Sequence, residues 1–258
     1  MRAMFCQLDD ELVALERAIE ICVEEGEWES EVAARRGYAL VADLAGAAPD
    51  AAAAQARQGV NRAEEMGGPF WQVYAGEGLA LSCAQRAEWQ AAIATAGEAI
   101  DLSRSRRVLV ADTALLLATR ARARIGQGDV RAARADATEA ISVAVRCGAR
   151  YYEAVAHLEM ARAILAEPAP GDPQLARAEL DHALSIVETL GIRALAPQIH
   201  WARADLAEAL GNADAAVAAL HTAHRLFVEV GAHGRAEEAA AALQRRAAPS
   251  TLGDRNDR

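Results

Sequence analysis

Lysine is missing from this sequence of 258 residues, so every one of its 27 cationic Lys or Arg side chains is an arginine. The phosphate-binding loop of many nucleotidases needs a lysine that reaches the β- and γ-phosphates. Pyridoxal and other Schiff-base chemistry needs a lysine amine as the covalent attachment point. The absence of lysine therefore excludes both chemistries from this chain.

Cysteine and aromatic residues are also scarce. The four cysteines form no CxxC or other close pair, which argues against a zinc site and against a disulfide framework. Aromatic residues make up only 4% of the sequence, and no alternating apolar run indicates a β-strand. No stretch approaches the ~20 apolar residues of a membrane span, and the N-terminus lacks the apolar core of a secretory signal. We therefore expect a cytoplasmic protein without a membrane partner.

The sequence is rich in alanine and in acidic residues. Hydrophobic residues account for 53% of the chain, enough to bury a substantial core. Alanine has the highest helix propensity and allows close helix packing, so this composition predicts helices almost throughout. The net charge of −10 repels phosphate backbones, and we expect no nucleic-acid partner.

Apolar helical segments that end in glycine recur roughly every 40 residues, which is the spacing of two-helix repeats. Glycine is suited to this place because it closes a helix in the left-handed conformation without a Cβ penalty. The closing glycines are Gly26, Gly67, Gly148, Gly191 and Gly231. A further segment, AIDLSRSRR, ends at Arg107 instead, and we expect that helix to end differently or to fray.

A second sequence signal, an Asp or Asn residue that follows a glycine, lies about 20 residues before each of the later closing glycines. Asp129, Asp172 and Asn212 each follow a glycine and are natural N-caps for the second helix of a pair. Small residues then recur at fixed offsets, where they would allow two helices to approach closely. These residues are Ala92, Ala99, Ala133, Ala140, Ala176, Ala183, Ala216 and Ala223.

Together these marks predict an opening helix, five helical hairpins and a final helix, all within one domain that covers 7–247. The helix is expected at about 7–25, the hairpins at 29–66, 69–106, 108–147, 149–190 and 192–230, and the last helix at 233–246. Residues 1–6 are predicted to be disordered or to cap the domain, and 248–258 to form a disordered tail. Each hairpin would touch only its neighbours in a quasi-one-dimensional core.

The first unit of the repeat matches the second helix of a pair. A solenoid that starts in mid-repeat leaves an apolar face uncovered. Two explanations remain open at this point: residues 1–6 and a partner cover the face, or the chain is the carboxyl portion of a longer protein.

The glycine–aspartate turns, the small residues at fixed offsets and the closing glycines resemble tetratricopeptide repeats. This resemblance implies an all-α, tetratricopeptide-like α–α superhelix, a right-handed solenoid of antiparallel helix pairs. The carboxyl-terminal stretches GARYYEAVAHLEMARAIL (148–165), APQIHWARADLAEALGN (196–212) and AHRLFVEVGAHGRAEEAA (223–240) are similar to the tails of bacterial adenylate/guanylate cyclase–ATPase regulators and of LuxR-type ATPase regulators. No cyclase or nucleotide-binding domain is present in the sequence.

The resemblance implies a scaffold in bacterial signal transduction that binds a protein or peptide partner, with an ATPase or cyclase domain as the candidate. We expect no catalytic residue, no cofactor and no enzymatic activity. A detached regulator tail without activity of its own is the first alternative. A small-molecule or catalytic groove is the second.

Partner binding is expected on the first helices of the pairs, because these helices line the concave face of such solenoids. Aromatic and arginine residues are enriched among interface hot spots. The candidate residues are Trp71, Tyr74, Arg122, Tyr152, Arg162, Gln198, Trp201 and Asp205. The alternative is that the Trp and Tyr side chains fill gaps between repeats.

Histidine could supply metal ligands, but the spacing predicts no metal site. His221 and His224 form an i, i+3 pair without an evident third ligand. His157 and His200 occupy equivalent places in successive repeats, and we expect them to lie side by side as a small polar ladder.

Overall fold

The computed structural model describes residues 7–167 and 172–247, and within these ranges it contains twelve α-helices and no strand. The helices are α1 (Leu8–Glu25), α2 (Trp28–Ala45), α3 (Pro49–Met66), α4 (Pro69–Gln85), α5 (Trp89–Arg106), α6 (Thr113–Gln127), α7 (Val130–Cys147), α8 (Arg150–Leu165), α9 (Pro173–Leu190), α10 (Ala196–Ala209), α11 (Ala213–Glu229) and α12 (His233–Ala247). The segments 1–6 and 248–258, for which disorder or capping was predicted, lie outside the described residues.

The predicted all-α solenoid of helix pairs is confirmed. An opening helix, five hairpins and a final helix follow one another with bounds close to those expected from the glycine and aspartate marks. Consecutive helices pack against each other along the whole described chain. No helix in the described ranges combines the length and the apolar character that a membrane span requires.

Five helices end as the repeat pattern predicts, with a closing glycine at positive φ: Gly26, Gly67, Gly148, Gly191 and Gly231. The prediction for Arg107 was wrong. Arg107 also adopts the left-handed conformation, with φ 56°, and its N–H donates to the carbonyl of Ser103. The helix ends regularly because the Ser103 hydroxyl also donates to the carbonyl of Val108, at 2.6 Å, which holds the turn.

The predicted N-caps and small residues are in place. The side chains of Asp129, Asp172 and Asn212 accept hydrogen bonds from the backbone N–H groups of Ala132, Gln174 and Ala215. All eight alanines at the fixed offsets are buried. Local capping chemistry and close helix approach therefore set the hairpins, as the sequence indicates.

The first helices of the pairs form an inner row. From α2 to α10, each even-numbered helix contacts the next even-numbered helix as well as its own hairpin partner. The odd-numbered helices lie outside this row. The inner row therefore carries the concave face of the solenoid.

The two ends of the described chain meet. The N–H of Leu8 donates to the carbonyl of Val230 at 2.8 Å, and the N–H of Asp9 donates to the carbonyl of Gly231 at 3.2 Å. Leu8 and Phe227, both almost completely buried, belong to one hydrophobic core that joins α1 and α2 with α10, α11 and α12. This contact between residues more than 200 positions apart closes the solenoid into a ring.

The seam of the ring also joins α12 to the end of α2. Arg235 donates a hydrogen bond to the carbonyl of Asp43 at 3.2 Å. Gly234 lies so close to Gly46 that an added Cβ would stand 2.3 Å from the Gly46 carbonyl oxygen. Only glycine fits at this place, because the neighbouring atom belongs to the backbone and is held by α2.

Ring closure corrects one expectation. The core is not strictly one-dimensional, because hairpins at opposite ends of the sequence share it. The start of the opening helix packs against the other end of the chain through Leu8, while Val13, Ile21 and Val23 of the same helix stay exposed. The rotations between successive hairpins add up until the two ends of the chain meet. No local sequence pattern indicates the total rotation.

Candidate functional site: a cavity inside the ring

All eight candidate residues lie on inner helices, and five of them line one cavity of about 390 Å³. These five are Arg122 on α6, Arg162 on α8, and Gln198, Trp201 and Asp205 on α10. Ring closure adds residues from α2, α11 and α12 to the concave face at this cavity, which stays partly open to solvent. The lining of the cavity also includes Asp43, Trp89, Phe227, Arg235 and Glu238.

Arg122 and Asp43 connect two inner helices that are not neighbours in the row. Nη1 of Arg122, on α6, donates to Oδ2 of Asp43, on α2, at 2.9 Å. Both side chains are largely buried, and Arg235 on α12 approaches the other Asp43 oxygen at 3.9 Å. Asp43 thus holds arginines from two other inner helices at the edge of the cavity.

Arg122 retains unused hydrogen-bond donors. Its Nε and Nη2 are buried and have no hydrogen-bond partner in the described part of the chain. Burial opposes the positive charge, but Asp43 and Glu159 raise the pKa of Arg122 overall. A charged guanidinium with unpaired buried donors favours an acceptor, since each buried unsatisfied polar group costs about 1–3 kcal/mol.

Arg162 supplies a second, more accessible guanidinium. It donates to Glu159 at 2.7 Å and to the side-chain oxygen of Gln198 at 3.4 Å. About a quarter of its side chain remains exposed (28%), so it can reach a ligand without losing its neighbours.

The remaining walls are aromatic or acidic. Trp201 packs edge-on against Phe227, with ring centroids 6.2 Å apart. Trp89 lies against Gly126, where an added Cβ would stand 2.4 Å from the indole ring. Asp205 and Glu238 add carboxylates to the lining, so the cavity offers charges of both signs beside an apolar surface.

Asp43, Trp89 and Arg235 were missed as site residues. Trp89 begins an outer helix, and Arg235 reaches the cavity only because the ends of the chain meet. Asp43 could have been found, since it lies on a first helix of a pair and is an acid in an otherwise apolar stretch, YALVADLAG.

The other three candidates, Trp71, Tyr74 and Tyr152, lie outside this cavity. Tyr74 and Tyr152 surround Arg36 on α2, which stacks on the Tyr74 ring at 4.7 Å and forms an ion pair with Glu77. The Tyr152 hydroxyl donates to Asp112 at 3.0 Å. We call Arg36, Tyr74, Glu77, Asp112 and Tyr152 the Arg36 cluster.

The Arg36 cluster is packed shut. Glu77 is fully buried, and burial raises its pKa to about 7, against the opposing effect of Arg36. Trp71 packs edge-on against Tyr74, with centroids 6.1 Å apart, and close to Phe70. The contacts of Trp71, Tyr74 and Tyr152 therefore agree with the interpretation that these aromatic side chains fill gaps between repeats.

The histidine ladder was predicted wrongly. The His157 ring lies beside that of His182, with centroids 4.3 Å apart, and not beside His200. His182 belongs to the second helix of the same hairpin, so the contact is within one repeat. Burial lowers the pKa of His200, which lies apart from the pair.

No protein-family model matches the chain, and no curated protein matches it by sequence. Among solved structures, the chain is similar to the crystal structure of BtubC (BKLC) from P. vanneervenii, with a TM-score of 0.58 and 16% sequence identity. The match covers 97% of this chain and 96% of that chain. At this identity the similarity shows a shared all-helical fold.

Proposed function

We propose that this protein is a binding scaffold, without catalytic activity, that recognises its partner through the cavity inside the ring. The ligand is a group with a carboxylate and an apolar body. It is either the end or a side chain of a peptide partner, or a free small molecule of the same chemistry. The observation that carries the proposal is the buried Arg122 at the cavity wall with two donors left unpaired in the described residues.

The size of the cavity supports a compact ligand. Ligand sites usually occupy ~300–1,000 Å³, and this cavity of about 390 Å³ lies near the lower limit. A chain end or a few side chains would fit.

The chemistry of the lining indicates how the ligand would be held. Arg122 and Arg162 favour a carboxylate, since an arginine offers planar, paired donors. Trp201 and Phe227 provide the apolar surface. Asp205 and Glu238 are placed to accept a positive group, such as an amine, from the same ligand.

The wider role follows from the resemblance to bacterial regulator tails. A helical-repeat scaffold of this kind would bind a signal or a partner and pass the event to an ATPase or cyclase domain. The repeat fold is consistent with this role, and the lack of lysine removes the phosphate-binding loop from this chain.

The test is a ligand screen by thermal shift, followed by calorimetry. One panel contains free amino acids and small aromatic carboxylates, and the other contains short peptides with a free C-terminus. We expect a member of one panel to raise the melting temperature of the full chain. Arg162→Ala should lower the affinity for that ligand at least about tenfold, because it removes a charge-assisted hydrogen bond.

Arg104→Ala is the matched control. Arg104 pairs with Glu139 on the exposed outer surface, with both side chains nearly half exposed (46% and 48%), so its loss should leave binding unchanged. If neither panel contains a ligand, or if Arg162→Ala binds as well as the wild type, the proposal is wrong. The panel that contains the ligand distinguishes a peptide partner from a free small molecule.

A further inference from the structure

Two histidines and two glutamates meet between α8 and α9. Glu153 and His157 lie one turn apart on α8, and Glu179 and His182 lie one turn apart on the facing surface of α9. None of these residues takes part in the cavity or in the Arg36 cluster. The grouping arises because the two helices of this hairpin pack against each other.

Three of the four side chains come close enough together to share a metal ion, and the fourth, Glu179, contacts His157. One ligand atom from each of Glu153, His157 and His182 lies within 4.8 Å of the other two. Nε2 of His182 is 3.4 Å from a Glu153 oxygen, and Nδ1 of His157 is 2.5 Å from Glu179.

We propose that Glu153, His157 and His182 bind one divalent transition-metal ion, with zinc as the expected metal. Zinc takes imidazole nitrogens and carboxylate oxygens at about 2.0–2.2 Å, commonly from three protein side chains with a water as the fourth ligand. Small side-chain shifts bring the three ligand atoms to that distance. The metal joins the two helices of the hairpin.

Glu179 acts as a positioning residue in this arrangement. Metal-binding histidines usually donate their second ring N–H to a carboxylate, which fixes the tautomer and the orientation of the ring. The contact between Glu179 and Nδ1 of His157 supplies that carboxylate and leaves Nε2 of His157 for the metal.

The burial of the ligands favours a metal over a set of unrelated surface side chains. Glu153 is almost completely buried (3% exposed), and His157 is only 12% exposed, while His182 opens to solvent. Arg150 now donates to both oxygens of Glu153, at 2.8 and 2.7 Å. Its side chain is half exposed, so it can move aside when a cation neutralises the carboxylate.

The experiment is zinc titration of the full chain by calorimetry, with metal content measured after gel filtration. We expect one zinc ion per chain. His182→Ala should weaken zinc binding by at least about tenfold, because it removes a direct ligand. His182 is mostly exposed (54%), so this variant should fold normally.

His221→Ala provides the matched control, because His221 is an exposed histidine on α11, away from the cluster. It should bind zinc like the wild type. Glu179→Gln should bind zinc more weakly than the wild type and more tightly than His182→Ala. With Co²⁺ in place of zinc, the wild type should show the visible absorption of a four-coordinate site.

Three results would overturn the assignment. The wild type could bind no zinc after gel filtration. His182→Ala could retain wild-type affinity. His221→Ala could lose binding to the same extent as His182→Ala, which would indicate general surface binding by histidines.

Discussion

The inner helices build two charged clusters from the same kind of surface, and the two differ in how they are filled. In the Arg36 cluster, Tyr74 and Tyr152 occupy the space around one buried ion pair. In the cavity, Arg122 and Arg162 pair with Asp43 and Glu159, and about 390 Å³ beside them is not filled by side chains. One part of the concave face, the Arg36 cluster, is therefore filled by side chains that stabilise the fold. Another part, the cavity, leaves room for recognition.

The largest effect should come from breaking the ion pair of the Arg36 cluster. Glu77→Ala leaves the buried Arg36 without its carboxylate, and loss of one partner of a buried pair costs ~3–5 kcal/mol. Arg162→Ala, in the cavity, should cost about 1 kcal/mol or less, since Arg162 is partly solvated. Urea unfolding of both variants measures the difference. Equal losses would contradict the view that the Arg36 cluster is structural and the cavity is a binding site.

The pH dependence of stability should also come from the Arg36 cluster. An acid whose pKa is higher in the folded than in the unfolded state binds more protons when folded, so its contribution to stability decreases as pH rises. For Glu77 that decrease should fall between about 4.5 and about 7, and should amount to ~3 kcal/mol. Glu77→Gln removes this titration.

The quantity to measure is the difference in free energy of unfolding between the wild type and Glu77→Gln, from pH 4 to pH 8. Other titrating groups largely cancel in this difference. The wild type should lose stability relative to the variant as pH rises. A constant difference across the range would show that Glu77 keeps an ordinary pKa in the ring.

A smaller effect than those at Glu77 should come from Gly126 at the cavity wall. Gly126→Ala places a methyl group against the Trp89 indole, which must shift away from its present position. We expect a loss of ~1–2 kcal/mol, the usual range for overpacking, together with weaker ligand binding. Gly97→Ala is the control, because its added Cβ would meet only an ordinary contact with Arg120, and it should stabilise α5 slightly.

The hairpins could be predicted because their determinants are local. A closing glycine, an N-cap such as Asp129 and a buried alanine such as Ala133 each act within a few residues of their own position. Arg107 shows the limit of this reasoning. The backbone there adopts the left-handed conformation without glycine, because Ser103 and the following carbonyls hold the turn.

The site was predictable only in part. The inner-helix register identified Arg122, Arg162 and Trp201, because a concave face follows from repeat geometry. Arg235 reached the site through ring closure, which depends on small rotations that add up over the whole chain. His182 was missed because its contact with His157 depends on how far α9 is rotated against α8.

The central claim is that the ends of the solenoid meet, since the cavity lined by α2, α10 and α12 depends on it. The most direct measurement is intramolecular cross-linking of Asp9→Cys/His233→Cys, in a chain whose native cysteines are replaced, with a short bifunctional maleimide. The two side chains are in contact in the closed ring, so we expect rapid cross-linking within single chains at any protein concentration. Failure of the monomer to cross-link, or cross-links formed only between chains, would show that the solenoid is open.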